Sequence, residues 1–326
     1  MPDLPKISIL IPAKNAEKTL HIAIEDATQQ EGVDWQIFIA NDSSSDGTLT
    51  LIKDYQAHFN GIHVIDVPKP GGIVAGRNML LEQVNTPYLA WLDADDGWPR
   101  ADKLMRQIQF LEKNPEHALV GDGKVRGVFL ENLRQKNFRY PISNEDIQVR
   151  LLFKNAFIMS SLVARTSMVQ GIAFDPAMEY LEDYVWVQQV AEKYSVANMV
   201  LGGTLHFISS TTGQDKKNQK YQVYAKETLL LEEKLANLNY KLPTEDAAFL
   251  ASFVRRNRPL DSAQSAQLKK IIIEVSAHLI DKGFKTSFFE LISMITTSGD
   301  KKKIKNVSIK EIKGMIDSFT ISDEKF

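Results

Sequence analysis

Short apolar runs alternate with amphipathic segments through the first 120 residues of the chain. The apolar runs hold five or six residues each and are rich in β-branched or aromatic side chains, which is typical of buried strands. Between these runs, apolar residues recur every three or four positions, as they do on one face of a helix. We therefore predict strands over residues 6–11, 35–40, 62–67 and 88–92, and helices over residues 16–29, 48–59, 73–84 and 102–111.

The regular order of strands and helices, joined by short turns, predicts an α/β fold with a mostly parallel sheet flanked by helices. Ligands of such sheets bind beyond the carboxyl ends of the strands. Candidate ligand-binding residues follow three of the predicted strands: residues 12–15 follow the first, Asn41 and Asp42 the second, and residues 93–96 the fourth. Because three strand ends agree, the sequence predicts one binding site along this edge of the sheet.

The alternation loosens after residue 118 and gives way to helical periodicity after residue 210. We place a domain boundary near Lys216, which divides the chain into an α/β domain with the expected binding site over residues 1–215 and a C-terminal helical region over residues 216–326. The expected elements are strands over residues 158–163, 197–201 and 204–208, a helix over 181–192, a polar loop over 209–218, and helices over 221–238, 244–257, 262–281, 285–296 and 309–319.

Composition excludes several classes of protein. The chain has 326 residues, 44% of them hydrophobic, which is ample for a large core. A formal net charge of -2 argues against nucleic-acid binding, because phosphate-binding faces usually carry a basic excess. The absence of cysteine excludes disulfides and thiolate metal sites, which fits a reducing compartment.

The sequence also bears on location. No basic and then apolar leader precedes the strand at Lys6, and no apolar run approaches the roughly 18–20 residues of a membrane span, so we expect a cytoplasmic protein. Contact with a membrane would then be peripheral, at its inner face. A small basic patch at Lys301–Lys303 and Lys305 is suited to anionic lipid, although Asp300 dilutes its charge.

An acidic run, Leu92-Asp93-Ala94-Asp95-Asp96, follows the fourth predicted strand directly. Three carboxylates in five residues repel one another, and a divalent cation is the simplest group that relieves the repulsion. Oxygen ligands favour Mg²⁺ or Mn²⁺, usually shared with the phosphates of a substrate. Taken alone, the run is equally consistent with a solvated turn that caps the helix starting near Ala101.

Five motifs in order along the chain make the sequence resemble the inverting family 2 glycosyltransferases. They are Ile7–Asn15, Asn41–Thr48, Gly76-Arg77-Asn78, Leu92–Asp96 and Leu181-Glu182-Asp183, and the resemblance covers roughly residues 5–212. It implies a GT-A type, Rossmann-like fold followed here by a C-terminal helical region. It also implies metal-dependent transfer of a sugar from a nucleoside diphosphate to an acceptor hydroxyl, with inversion at the anomeric carbon.

The resemblance assigns the loops after the first two strands to the nucleotide. Pro12, Ala13 and Asn15 would line the base, and Asp42 would accept a hydrogen bond from the base or the ribose. A plain strand-to-helix turn is the competing interpretation for the first three residues. For Asp42 the competing role is a helix cap, which Asp46 is equally suited to provide.

The same resemblance places Arg77 against the nucleotide, where a guanidinium suits phosphate or planar acceptors. A surface salt bridge with Glu82 or Asp42 is the alternative. The preceding Gly71-Gly72 lacks the spacing of a phosphate-binding loop and predicts only a tight turn.

Within the acidic run, Asp93 and Asp95 match the Asp-x-Asp pattern of this family. We expect Asp95 to bind the cation directly and Asp93 to contact the ribose or a metal-bound water. Asp96 is expected to be structural, either capping the following helix or orienting Arg100. His206 is a further candidate that would complete the metal or diphosphate site, although a lone histidine is more often structural.

The second acidic pair begins a predicted helix. The resemblance makes Asp183 the general base that deprotonates the acceptor hydroxyl and lets Glu182 contact the acceptor. Acids are also favoured in the first turn of any helix by its dipole, so a purely structural role competes. Trp186, one turn on, is more often a core residue than a platform for a sugar. The segment Ser209–Lys220, with its lysines, is a candidate lid over the diphosphate.

The expected partners follow from these roles. The donor is a nucleotide-sugar, with UDP favoured over dTDP and GDP by resemblance, and the acceptor is a saccharide or a lipid-linked saccharide. Assembly of surface polysaccharide, lipopolysaccharide or glycolipid is the expected process, and a homo-oligomer is compatible with the helical region. Two competing hypotheses are an inactive nucleotide-sugar-binding protein and a glycoside hydrolase, which needs paired acids and no nucleotide site.

Overall fold

A computed structural model describes residues 3–69, 71–130, 132–208, 216–256 and 262–282. The described residues fall into two compact units. The first contains the residues up to Ile147 and those from Asn155 to 215, and the second contains residues 148–154 and those from Lys216 onward. Thus a seven-residue segment inside the N-terminal part of the sequence belongs to the C-terminal unit, which the sequence did not indicate.

The elements of the chain follow one another in an order that mixes strands and helices. The strands are β1 Lys6–Ala13, β2 Asp34–Asn41, β3 Ile62–Asp66, β4 Tyr88–Trp91, β5 Asp96–Gly97, β6 His117–Asp122, β7 Lys124–Phe129, β8 Arg134–Arg139, β9 Val163–Arg165, β10 Ser195–Met199 and β11 Leu205–Ile208. The helices are α1 Leu20–Thr28, α2 Thr48–His58, α3 Ile73–Gln83, α4 Lys103–Lys113, α5 Asn144–Leu151, α6 Thr166–Val169, α7 Glu182–Lys193, α8 Lys216–Asn237, α9 Thr244–Arg256 and α10 Ser262–Asp281. Two 3₁₀ turns lie at Met159–Ser161 and Pro176–Met178.

A seven-stranded sheet forms the centre of the first unit, with the order β10-β6-β9-β4-β1-β2-β3. All neighbouring pairs are parallel except those of β9, which runs antiparallel to both β4 and β6. This confirms the predicted α/β fold class. A second sheet, with the order β5-β11-β7-β8, lies beside the acidic run and was not predicted.

The core explains why the alternating pattern is visible in the sequence. Strand β1 is buried from Ile7 to Ala13, and its residues Ile7, Ile9 and Ile11 pack in one cluster with Leu20 and Ile24 of α1. A parallel strand covered by helices on both faces reads as a continuous apolar run. Each such aliphatic side chain contributes about 1.5–3 kcal/mol on burial.

The predicted strand over residues 158–163 is wrong in its position. Residues Met159–Ser161 form a 3₁₀ turn, and the strand begins only at Val163. The hydroxyl of Ser161 donates to the carbonyl of Ile158, a local bond that competes with a strand ladder. The apolar character of the segment reflects burial, which a turn in the core shares with a strand.

The second unit is a small helical core. Leucine and isoleucine side chains of α8, α9 and α10 pack together, and Val149 and Phe153 from the 148–154 segment join them. Residues 216–218, predicted as loop, already belong to α8, which therefore includes Lys216, Lys217 and Lys220 of the candidate lid. The rest of that loop, the helices predicted over 285–296 and 309–319, and the patch around Lys301 lie outside the described residues.

None of the helices in the described ranges has both the length and the apolar character that crossing a membrane requires.

The interior of the first unit contains a buried lysine. Lys103, at the start of α4, is fully buried, with its Nζ 4.3 Å from the ring centre of Trp98 and donating to Gln107 Oε1 at 2.7 Å. Burial lowers the pKa of Lys103 to about 7, and the charge of Asp122 offsets only part of this effect. The folded protein therefore binds a proton here less readily than the unfolded chain does.

This arrangement predicts a pH-dependent stability. Between about pH 7 and the ordinary pKa of lysine, the unfolded chain binds more protons at this position, so the free energy of unfolding rises with pH by up to about 1.4 kcal/mol per unit. In Lys103→Met this contribution is absent, so the stability of wild type relative to the variant should increase from pH 7 to pH 10 in urea titrations. The exposed Lys113→Met is the matched control, and parallel stability curves for wild type and Lys103→Met would contradict the assignment.

Candidate active site

The loops after β1 and β2 are fastened to each other. Asn15, in the left-handed region with φ 49°, accepts a hydrogen bond from the backbone N of Ser45 at 2.8 Å, and its own N donates to Ser44 Oγ at 3.0 Å. Pro12 and Ala13 are the last residues of β1 and are buried. The predicted base-lining residues thus lie at one strand end, and Asn15 uses its side-chain oxygen to hold the next loop.

Asp42 is nearly buried at the end of β2, where its Oδ2 accepts from Lys14 Nζ at 2.7 Å and from the backbone N of Gly72 at 3.1 Å. The helix α2 takes its N-terminal side-chain bond from Asp46 instead, whose Oδ1 accepts from the N of Thr48 at 3.1 Å. The capping alternative for Asp42 is therefore wrong.

The close contact between the Asp42 carboxylate and the backbone before α3 requires the glycine pair, Gly71 and Gly72. A Cβ on Gly71 would lie 2.0 Å from Asp42 Oδ1, and Gly72 has φ 111°, which L side chains rarely adopt. The pair does more than make a turn, because it lets the backbone reach the Asp42 carboxylate.

Arg77 of α3 lies beneath the acidic residues. It is 5% exposed, and its Nη1 donates to Glu182 Oε1 at 2.8 Å while its Nη2 donates to Asp93 Oδ1 at 3.1 Å. Burial opposes its charge, but the nearby carboxylates of Asp93, Glu182 and Asp183 outweigh burial and raise its pKa. The alternative of a surface salt bridge with Glu82 or Asp42 is wrong.

Asn78, the residue after Arg77, connects helix α3 to the backbone of Phe174. Its side chain donates to the carbonyl of Phe174 at 2.9 Å and accepts from the N of Phe174 at 2.8 Å. The Phe174 ring in turn lies 5.6 Å from the Arg77 guanidinium and is stacked on Trp186. Trp186 is fully buried in this aromatic cluster, which confirms its interpretation as a core residue.

Asp93 and Asp95 follow β4 and differ in their surroundings. The N of Asp93 donates to Ser160 Oγ at 3.0 Å, and its carboxylate is half-exposed above Arg77. The Asp95 side chain reaches the surface, and within the described residues no other residue donates a hydrogen bond to its carboxylate. Desolvation by the surrounding protein, followed by the charges of Asp96 and Asp93, raises the pKa of Asp95 to about 6.

Asp96 is structural, but not in the way the sequence suggested. It is fully buried and accepts from Ser160 Oγ at 2.5 Å and from the backbone N of Phe207 at 3.1 Å. It neither caps α4 nor orients Arg100, whose guanidinium binds Asp102 instead. Its partners belong to β11 and to the 3₁₀ turn, which no local sequence pattern could reveal.

His206 lies opposite Asp96 in the β5–β11 pair, with its Nδ1 2.9 Å from Asp96 Oδ1. Burial lowers the pKa of His206, but its hydrogen bond to Asp96 and the charges of Asp96, Asp93 and Asp95 outweigh burial and raise it overall. The structure therefore brings His206 to the acidic run, where its Nδ1 lies within hydrogen-bond distance of the buried Asp96.

The second acidic pair opens α7. Glu182 is buried, and among the described residues its Oε2 has no hydrogen-bond partner. Asp183 is half-buried, and its Oδ2 accepts from Asn155 Nδ2 at 3.1 Å while its Oδ1 accepts from the N of Tyr184 at 2.7 Å. Burial raises the pKa of both carboxyls, partly offset by the charge of Arg77.

Two residues of this site were missed from the sequence. Ser160 bridges the acidic run by accepting from the N of Asp93 and donating to Asp96, and Asn155 orients Asp183. Each lies far from its partners along the chain, and neither stands in a motif.

The donor chemistry of the site fits a hard divalent cation that takes part of its ligands from a substrate. Asp95 offers a carboxylate at the surface beside Asp93 and His206, and like charges crowd it. Within the described residues, however, no group of three histidine or acidic side chains is arranged to hold a metal ion by itself. Magnesium-type sites commonly have one or two carboxylates, with substrate phosphates and water completing the coordination.

Comparison with solved structures agrees with the fold. S. aureus TarS 1-349 in complex with UDP-GlcNAc has a TM-score of 0.56 at 15% identity and covers 90% of each chain. The mannosyltransferase PcManGT from Pyrobaculum calidifontis in complex with GDP-Man and Mn²⁺ has a TM-score of 0.54 at 14% identity, covering 93% of this chain and 89% of that one. At these identities the likeness defines the class of fold, which is that of the GT-A glycosyltransferases.

Residues 8–168, which are just under half of the chain, match the family model described as glycosyl transferase family 2. Among curated proteins, the putative teichuronic acid biosynthesis glycosyltransferase TuaG of Bacillus subtilis is 32% identical over 107 residues. That match covers 33% of this chain and 42% of TuaG, so the chain matches less than half the length of this relative.

The Arg77 ion pairs predict a strongly coupled response to mutation. Arg77→Met leaves Glu182 and Asp93 without their cation in a largely buried site, so the free energy of unfolding should fall by about 3–5 kcal/mol. Adding Glu182→Met should recover part of that loss, because one unpaired charge is removed. Urea unfolding of the two single variants and the double variant measures the coupling. The exposed pair Arg106–Asp102 is the control and should show less than about 1 kcal/mol, while additive effects at Arg77 and Glu182 would contradict the prediction.

Proposed function

We propose that this chain is a metal-dependent inverting glycosyltransferase that moves a sugar from a nucleoside-diphosphate sugar to an acceptor hydroxyl. One observation carries the proposal: Asp93, Glu182 and Asp183 gather around the buried Arg77 at the edge of a parallel sheet, in a chain that matches the family 2 glycosyltransferase model over residues 8–168. Transfer with inversion requires a site for the leaving diphosphate and one positioned base. The acidic run that contains Asp93 would supply the first, and the pair Glu182-Asp183 would supply the second.

The donor is inferred to bind at the ends of β1 and β2. Pro12, Ala13 and Asn15 would line the base, and Asp42 would accept a hydrogen bond from base or ribose through the oxygen that Lys14 and Gly72 leave open. UDP is the favoured nucleotide, and the TarS complex with UDP-GlcNAc supports this choice.

The cation is inferred to be Mg²⁺ or Mn²⁺, held by Asp95 with Asp93 and His206 beside it, and the Mn²⁺ in the PcManGT complex supports this. When bound, a divalent cation neutralises the diphosphate and stabilises it as the leaving group. In this arrangement Asp96 keeps His206 in place, and Arg77 fixes Asp93 from below.

Asp183 is inferred to be the general base. Its carboxylate is held by Asn155 and by the N of Tyr184, and burial raises its pKa, which makes it a better proton acceptor than an exposed aspartate. It would take the proton of the acceptor hydroxyl as that oxygen attacks the anomeric carbon from the face opposite the leaving diphosphate. Glu182 is also assigned to the acceptor in this proposal, and since its side chain is buried against Arg77, it would act from the floor of the site.

The acceptor is inferred to be a saccharide or a lipid-linked saccharide in the assembly of surface polysaccharide, lipopolysaccharide or glycolipid. The name of TuaG, which assigns that relative to teichuronic acid biosynthesis, supports this process. We infer that residues 1–215 form the catalytic domain and that the helical region from Lys216 serves the acceptor, a second subunit or a membrane surface. The protein would act in the cytoplasm at the inner face of the membrane.

The competing hypotheses fare less well. A glycoside hydrolase needs no nucleotide site, whereas the glycine pair here lets the backbone approach the Asp42 carboxylate, the candidate nucleotide contact after β2. An inactive nucleotide-sugar-binding protein would have no need for a base oriented as Asp183 is.

Asp183→Asn is the direct test of the base. It keeps the shape of the side chain, and its single amide oxygen can keep one of the two hydrogen bonds that Asp183 accepts. UDP should therefore still raise the thermal midpoint, whereas Mn²⁺-dependent transfer in an acceptor screen should fall by about 10²–10⁴-fold. Asp66→Asn, at the end of β3, is the matched control and should transfer normally. Undiminished transfer by Asp183→Asn, or no UDP binding by wild type, would rule out the proposal.

The role of Asp42 has its own test. Gly71→Ala should displace the Asp42 carboxylate, because the added Cβ would meet Oδ1 at 2.0 Å, and should weaken UDP binding roughly tenfold or more, the equivalent of one charge-assisted hydrogen bond. Gly171→Ala is the control, since nothing lies within 4 Å of its Cβ position. Calorimetric titration with UDP measures both, and equal affinities would remove Asp42 from the nucleotide site.

A further inference from the structure

The hairpin formed by β7 and β8 carries an unusual combination of charge and exposed apolar residues. Between Lys124 and Arg139 the sequence holds five basic residues and a single acid, Glu131. All five basic residues are exposed, and in the described part of the chain none of them forms an ion pair. At the tip, Leu130 is 43% exposed and Leu133 is 72% exposed.

Protection of a sheet edge explains the basic residues of the hairpin but not its exposed leucines. Strand β8 is the outer strand of its sheet, and lysine or arginine on such a strand discourages pairing with other chains. That role gives no reason for two leucines at the tip, where polar turn residues would serve better.

The backbone at the tip makes the leucine harder to explain by folding alone. Leu133 has φ 54°, in the left-handed region that glycine, asparagine and aspartate adopt far more readily than leucine. Asn132 stands beside it and accepts from the N of Arg134 at 3.0 Å. The turn thus keeps a strained, solvent-exposed leucine where an asparagine would fit with less strain, and such a conflict points to a function outside the fold.

The basic residues of the hairpin lie at different distances from its tip. Arg134 and Lys136 lie within three residues of Leu133, which at about 3.4 Å per residue is within a Debye length of about 10 Å. Lys124 and Arg139 lie opposite each other in the strand register at the other end of the hairpin, roughly 17 Å from Arg134 along the strands.

We propose that the β7–β8 hairpin docks tip-first on an anionic lipid bilayer, with Leu130 and Leu133 entering the headgroup region and Arg134 and Lys136 meeting the lipid phosphates. Charge complementarity selects the anionic surface, and the exposed leucines select a bilayer over a soluble polyanion. The inference deepens the proposed function and rests on it for the lipid-linked acceptor. It assigns the membrane contact to the first unit rather than to the lysine patch predicted around Lys301.

Co-sedimentation of the full chain with vesicles tests this docking. The wild type should bind phosphatidylglycerol–phosphatidylcholine vesicles at 0.1 M salt and should not bind pure phosphatidylcholine. Leu133→Asn should weaken vesicle binding roughly tenfold, the order expected when a leucine no longer leaves water, while its thermal midpoint stays the same or rises because the turn is relaxed. Val200→Ser, at an apolar residue that is 71% exposed elsewhere in the unit, is the control and should bind as wild type does.

A pair of charge variants tests the orientation. Arg134→Gln with Lys136→Gln should weaken binding by roughly fivefold per charge, whereas Lys124→Gln with Arg139→Gln should weaken it much less. Equal losses from the two pairs would overturn tip-first docking. Absence of wild-type binding to anionic vesicles, or full binding by Leu133→Asn, would overturn the inference altogether, the latter by showing a purely electrostatic site for polyanions.

The same variants separate this inference from the proposed function. None of the hairpin variants should alter the shift in thermal midpoint produced by UDP, because none touches the strand ends that would bind the nucleotide. Vesicle binding without UDP binding would reject the transferase proposal and leave the hairpin assignment standing, and the reverse result would reject only the hairpin.

Discussion

The buried guanidinium of Arg77 is the interaction on which the site depends. It joins Asp93, which follows β4, to Glu182, which begins α7, so one side chain fixes two acidic segments that are far apart along the chain. A buried arginine is tolerated only with hydrogen-bonded carboxylates around it, and those carboxylates are tolerated only with the arginine beneath them. The arrangement specifies where the acids lie even though it adds little net stability.

A second buried residue, Asp96, also connects segments that are far apart along the chain. Asp96 holds the 3₁₀ turn through Ser160 and holds β11 through His206 and the N of Phe207. Since Asp96 is fully enclosed and Asp95 reaches the surface, neighbouring residues of one motif have opposite tasks. The carboxylate of Asp96 thus has a structural role in the interior, while that of Asp95 stays accessible at the surface.

The sequence was sufficient for strands β1 to β4 of the central sheet, because the strand and helix periods are local signals, repeated within a few residues of each other. It missed β6 and misplaced β9, which lie where the regular alternation of strands and helices is lost. It also located the strand ends where Asp42, Asp93 and Asp95 lie. It could not show the partners of Arg77, because Glu182 is 105 positions away, nor the bridging by Ser160. The β7–β8 hairpin escaped prediction for a related reason: β8 is almost wholly exposed and has no apolar alternation, so only its pairing with β7 makes it a strand.

The second sheet also fixes a distance. Residue Asp96 is aligned with His206, and His206 with Gly127 of β7, so the tip of the hairpin stands about 13 Å further along the strands and about 10 Å across them. If the hairpin docks tip-first as proposed, the acidic run would lie about 13 Å above the tip, measured along the strands. The lipid-linked acceptor of the proposed function would have to extend from the headgroups by a comparable distance to reach the acidic run.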